Sequence, residues 1–197
     1  MRDMIKMVVV LTVLCIFSGG LLAALRTGTS AQIENQQLQF VKGPAIMKIM
    51  EGALNDPIAD RFKLKDGDVE RSFFVGNLGA NGQAVAFETF GGGFGGDIGV
   101  MVGVNPANDQ IIAVGVTTHS ETPGLGSKAK TDPKFSAQFK GMTLSGEFKV
   151  KKDGGQVDAL SGATVSSRGV ALALTAASEA YSRLKPQVSE KIKDFTK

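Results

Sequence analysis

The sequence predicts an α+β fold: a mainly antiparallel sheet packed by helices, following one N-terminal transmembrane helix. Three observations predict it. Short candidate strands joined by tight turns occupy roughly residues 62–116. Val170, Leu174, Ala177, Tyr181 and Leu184 recur at steps of four and three, the stripe of an amphipathic helix. Met7 to Leu25 is an unbroken uncharged run, long enough to cross a bilayer core.

The uncharged run accounts for a hydrophobic content of 43%, high for a soluble domain. It is long for the apolar region of a cleaved signal, and Leu14 ahead of Cys15 does not suit a lipidation site. The segment therefore reads as an uncleaved anchor over residues 1–26. Arg2 and Lys6 precede it, while Arg26 and Lys42 are spread more thinly beyond it. That bias favours an N-terminus on the cytoplasmic side of a membrane and a soluble domain on the extracytoplasmic side. Residues 27–42, rich in Gln, Thr and Ser, read as a stalk, helical from about Ala31.

A folded domain is expected over residues 43–186. Pro44 suits the first turn of a helix whose apolar face is Ile46, Ile49, Met50, Ala53 and Leu54. The expected strands then follow: Phe62 to Lys65, Val69 to Val75 after the Asp66-Gly67 turn, and Ala84 to Phe90 after Asn81-Gly82. Ile98 to Val104 and Ile111 to Val116 are apolar on both alternating faces, so both faces should be covered. Phe148 to Lys151 is a sixth expected strand. Gly91 to Gly96 is a glycine-rich loop, not a dinucleotide fingerprint, because no strand–GxGxxG–helix unit surrounds it. Pro186 is expected to stop the final helix, leaving residues 187–197 as a charged tail.

The single cysteine excludes a disulfide, and the single histidine excludes a multi-histidine metal site. A net charge of +3, dispersed lysines, one Tyr and no Trp give no nucleic-acid footprint. No metal ligand set is expected. Ser161, His119 and Asp158 contain the residue types of a hydrolase, but no Gly-x-Ser-x-Gly elbow presents the serine. No catalytic residue is assigned.

Two stretches carry chemistry. The first runs from Asp158 through Ser161-Gly162-Ala163-Thr164 to Val170. Thr164 falls at the start of the amphipathic helix, where free N–H groups and the helix dipole favour an anion. Gly162 lets the backbone approach a ligand, and Ala163 adds no bulk. The second is His119-x-Glu121-Thr122-Pro123-Gly124-Leu125-Gly126, a turn after a buried strand.

Together these stretches resemble the FMN-binding domain family, which contains the G subunit of Rnf electron-transport complexes and the C subunit of the Na⁺-translocating NADH:quinone oxidoreductase. The matched stretch runs from about Gly91 to Val170, and the N-terminal anchor extends it; the compact middle favours the G subunit. The resemblance implies FMN joined to Thr164 by a phosphoester bond, made by a separate flavin transferase. It also implies electron transfer within an Rnf-type, ferredoxin:NAD⁺-linked complex alongside other membrane subunits. On this reading Leu125, Pro123 and Val165 form an apolar wall for the flavin ring. Glu121, Thr122 and His119 lie at its edge or fix the loop. Ser161, Gly162 and Ala163 approach the phosphate, and Asp158 assists attachment or holds the loop. Arg168 either pairs with the phosphate or faces solvent, and solvent is the simpler expectation. The alternatives are a C-type subunit and a membrane-tethered binding module without redox activity.

Overall fold

The computed structural model describes residues 2–195, apart from the side chains of residues 31 and 81. Residues up to 40 and those from 41 on form two compact units. The first is dominated by helix α1 (Arg2–Gln36), which continues without a break through the expected stalk into a π-helical turn over Gln37–Lys42. Its stretch Arg2–Ser30 is long and apolar enough to cross a membrane, and none of it is buried within the protein.

The second unit is built on five strands: β1 (Arg61–Asp66), β2 (Val69–Asn77), β3 (Gln83–Gly92), β4 (Asp97–Asn105) and β5 (Gln110–Val116). They pair in sequence order, each antiparallel to the next. The cause is local. Every connection is a short turn, and a short turn can join only antiparallel neighbours. The long helix α5 (Thr164–Lys191) crosses one face, over β3 and β4. Its expected stripe of Val170, Leu174, Ala177, Tyr181 and Leu184 is buried throughout. Helix α2 (Gly43–Ile49) covers β4 and β5 on the other face with Ile46 and Ile49. Small sheet residues make room for it: a Cβ on Gly103 of β4 would collide with Ile49. Both faces of β4 are therefore dry, as its uninterrupted apolar sequence requires.

Aromatic rings run through the core as a ladder. Phe62 stacks on Phe73 at 5.5 Å, Phe73 meets Phe87 at 5.0 Å, and Phe87 stacks on Tyr181 of α5 at 6.1 Å. The Tyr181 hydroxyl donates to Asp109 Oδ1, and Lys185 Nζ approaches Asp109 Oδ2 at 2.6 Å. At the sheet edge Asp66 accepts from Arg183 and from Arg71, each at 2.9 Å.

Three expectations fail. Helix α2 ends at Ile49, so the expected apolar face does not extend to Leu54, which is 77% exposed. Helix α5 does not stop at Pro186. That residue lies on the exposed face, and the stripe carries on through buried Val188 and Ile192. A proline inside a helix costs roughly 3 kcal/mol, and burying two further aliphatic side chains at about 1.5–3 kcal/mol each offsets it. The expected charged tail thus packs onto the domain, with Phe195 stacked on Phe62 at 6.1 Å. Residues 148–151 do not join the sheet. The Phe148 N–H donates to Thr175 Oγ1 of α5, and Val150 makes only a lone parallel bridge to Val157.

Leu174 is fully buried and Leu172 is half exposed. Leu174→Ala is expected to cost about 2–5 kcal/mol in denaturant unfolding, and Leu172→Ala less than about 0.5 kcal/mol. The Arg183 hydrogen bond outweighs the burial that opposes it and, with Arg71, holds the Asp66 carboxyl at about 2. That lies below the unfolded value, so its contribution is full above about pH 4 and is lost as the pH falls toward 2. Unfolding curves of Asp66→Asn should show a flatter loss of stability across that window than those of the wild type.

Candidate functional site

Three segments meet at one end of the sheet. The β3–β4 hairpin closes through the glycine-rich loop, with Gly93 N–H donating to Gly96 O at 2.8 Å. The chain leaving β5 makes the Thr122–Leu125 turn, held by Gly124 N–H to Ser127 Oγ at 2.9 Å and Leu125 N–H to Thr122 O at 3.2 Å. Two short helices follow, α3 (Lys128–Thr131) and α4 (Pro133–Ala137). The third segment is the Ser161-Gly162 turn and the first turns of α5. Glycines allow the contact. A Cβ on Gly91 would collide with the Gly169 carbonyl oxygen, and one on Gly169 would lie 2.9 Å from Gly92 O.

Glu121 joins all three. It is 5% exposed. Its Oε1 accepts from Gly95 N–H of the glycine loop at 2.8 Å, and its Oε2 accepts from the Ser166 hydroxyl of α5. A Cβ on Gly126 would lie 2.6 Å from Glu121 Oε2, so the turn closes tightly around the carboxylate. Burial pushes this carboxyl up. The Ser166 hydroxyl and the N–H groups of Gly95 and Phe94 outweigh that and hold it below the usual range. Glu121 is thus a buried loop-fixing acid. The sequence left it between loop-fixing and ring-edge roles, because Ser166 lies 45 residues away along the chain. His119 is half-buried, and its Nδ1 accepts from Glu121 N–H at 3.3 Å.

Thr164 opens α5, as expected, and is half-buried. Ser161 is not its cap. The capping position belongs to Ala163, and no side chain caps the helix. A 28-residue helix therefore begins with first-turn N–H groups that no capping side chain engages. Gly162 holds φ +75° in the preceding turn, a conformation that favours glycine. Its backbone lies close to Leu125: a Cβ there would meet Leu125 Cδ2 at 3.4 Å. Leu125 and Val165 are large apolar side chains left 47% and 42% exposed. Thr122 and Pro123 are exposed beside them. Phe94, at the tip of the glycine loop, is 74% exposed, and sequence reasoning did not single it out. A phosphate suits the uncapped helix end, and a flat apolar ring suits the exposed aliphatic side chains, so these residues fit a flavin mononucleotide.

Asp158 is exposed and paired with Lys151 Nζ at 2.7 Å; its N–H and C=O are held by the Gln138 side chain. Arg168 does not face solvent freely. Its Nε and Nη2 form a two-pronged pair with Asp153, at 2.6 and 2.8 Å. Among the described residues, no group of three or more His, Cys, Asp or Glu side chains could hold a metal.

The profile of the FMN-binding domain family matches residues 93–179, spanning all three segments. The chain is 32% identical over 179 residues to the G subunit of an ion-translocating oxidoreductase complex from Methanosarcina acetivorans, covering 89% of this chain and 93% of the relative. It is 30% identical over 182 residues to the protein of the same name from Shewanella piezotolerans, covering 85% and 84%. The chain belongs to the G-subunit family of ion-translocating oxidoreductase complexes. Its fold matches that of the C subunit of the Na⁺-translocating NADH-quinone reductase from Parabacteroides distasonis, with a TM-score of 0.60 at 23% identity over 79% of this chain and 96% of that one. The corresponding protein from Shewanella oneidensis gives 0.51 at 26% identity, over 71% and 72%. The antiparallel sheet with flanking helices is thus common to this G-subunit relative and the C subunits.

Removing the Glu121 carboxylate leaves the buried Ser166 hydroxyl without an acceptor, at roughly 1–3 kcal/mol, and releases the Gly95 N–H, which water can reach. Glu121→Ala should therefore lower stability more than Glu121→Gln, which keeps one acceptor oxygen. Combining Glu121→Ala with Ser166→Ala should cost less than the sum of the two, in thermal unfolding of the full chain.

Proposed function

We propose that this chain is a membrane-anchored electron-transfer subunit that carries FMN covalently, through a phosphoester at Thr164, within an Rnf-type ion-translocating oxidoreductase. The observation that carries the reading is the uncapped start of α5: Thr164 presents a hydroxyl there, beside first-turn N–H groups with no capping side chain. The family match and the two exposed aliphatic side chains support the same reading.

FMN, when bound, supplies one- and two-electron transfer. The chain's own residues do the rest. The Thr164 oxygen would bond to the flavin phosphorus in place of the donor's leaving group, which would depart with the electron pair and take up the hydroxyl proton. A separate flavin transferase activates that donor. The N–H groups of the first helical turn donate to the phosphate oxygens. Leu125 and Val165 give the ring an apolar seat, flanked by Thr122 and Pro123. Glu121 holds the seat in shape. Asp158, exposed beside the attachment loop, serves the attachment step and is otherwise neutralised by Lys151.

Helix α1 tethers the domain to the membrane, where a fixed cofactor stays within reach of the neighbouring membrane subunits. The charge bias of the anchor supports an extracytoplasmic position for the domain. The G-subunit relatives support an ion-translocating oxidoreductase complex, and the family resemblance implies that it is ferredoxin:NAD⁺-linked and not quinone-linked. Co-purifying subunits distinguish the two.

The direct test is co-expression of the full chain with a flavin transferase, followed by a denaturing gel viewed for flavin fluorescence. The wild type should give a fluorescent band and Thr164→Ala none, with Asp158→Asn reduced. A band of equal strength in Thr164→Ala would refute attachment at this residue.

A further inference from the structure

Arg168 stands four residues after Thr164 on α5, and so shares its helix face. Long side chains on a helix lean back toward its N-terminus, which carries Arg168 over the turn that holds Thr164. The guanidinium is fixed by two hydrogen bonds to Asp153, through Nε and Nη2. This spends two of its five N–H donors. Among the described residues, Nη1 donates to no protein atom, so one edge of the fork is free for an oxyanion.

Asp153 ends the 3₁₀ turn Lys151–Asp153, and the same turn carries Lys151. Lys151 pairs with Asp158, the acid nearest the attachment loop. One short turn thus does two things: it aims Arg168 and it neutralises the carboxylate that would repel a phosphate. Asp153 lies below the usual carboxyl range, first through the Arg168 hydrogen bond, so the aiming pair stays ionised.

We propose that Arg168, aimed by Asp153, is the positioning cation for the flavin phosphodiester at Thr164, and that Lys151 keeps Asp158 from opposing it. This rests on the attachment reading above and adds residues that the motif alone does not assign.

The experiment compares thermal unfolding of the full chain in detergent, with and without attached flavin. The unloaded form is made without a transferase, and the loaded fraction is read by in-gel fluorescence. Attachment should raise the Tm of the wild type. In Arg168→Gln that increment should shrink by about half, the effect of losing one charge-assisted contact to the phosphate. Asp153→Asn should reduce it less, because the charge remains but is no longer aimed. Arg183→Gln breaks another exposed ion pair on the same helix, with Asp66. It should lower both forms equally and leave the increment unchanged. If Arg168→Gln also lowers both forms equally, Arg168 is only a tie between α5 and the turn, and the proposal is overturned. Where Arg168→Gln is folded but takes up no flavin, Arg168→Lys decides. Restored loading with a reduced increment supports the proposal, and unrestored loading overturns it. Failure of the attachment reading looks different: the wild type carries no flavin, or Thr164→Ala carries as much.

Discussion

The site depends on one buried carboxylate. Glu121 takes hydrogen bonds from a loop between strands and from the first turn of the last helix, while its own backbone forms the third segment. A charge in that position is costly unless every lone pair is used. The surrounding glycines let donors come close enough to use them. With the carboxylate satisfied, Leu125, the Gly162 turn and Thr164 are held in fixed relation. Without it, three loops would have little reason to share one place.

The sheet supplies the rigidity behind that arrangement. Five antiparallel strands with both faces of β4 covered form a packed base behind the site. Helix α5 is clamped at its far end by Asp66 with Arg183 and by Asp109 with Tyr181 and Lys185. Its near end is free of any capping side chain. A helix anchored at one end and uncapped at the other offers its unengaged N–H groups to an incoming anion. The exposed aliphatic side chains beside it offer a seat for a ring.

The sheet was legible in the sequence because its signals are local. Alternation, the Asp66-Gly67 turn and the turn around Asn81-Gly82 place the five strands to within two residues at each end. The stripe on α5 was legible for the same reason. What escaped depends on distant partners. Phe148 to Lys151 has the composition of a strand, but Thr175 takes its backbone donor. Pro186 reads as a stop unless buried Val188 and Ile192 are known to pull the helix onward. The loop from Ser161 to Thr164 is legible from its motif, whereas the pairings of Glu121, Asp153 and Arg168 join residues far apart in the chain. Phe94 gave no signal beyond an aromatic residue among glycines.

The account turns on a single side-chain oxygen. Its most direct measurement is peptide mapping by mass spectrometry of the chain taken from its native membrane. The peptide containing Thr164 should be heavier by one FMN less one water, with fragment ions placing the addition on that threonine. An unmodified peptide, or flavin carried on another residue, would contradict the account.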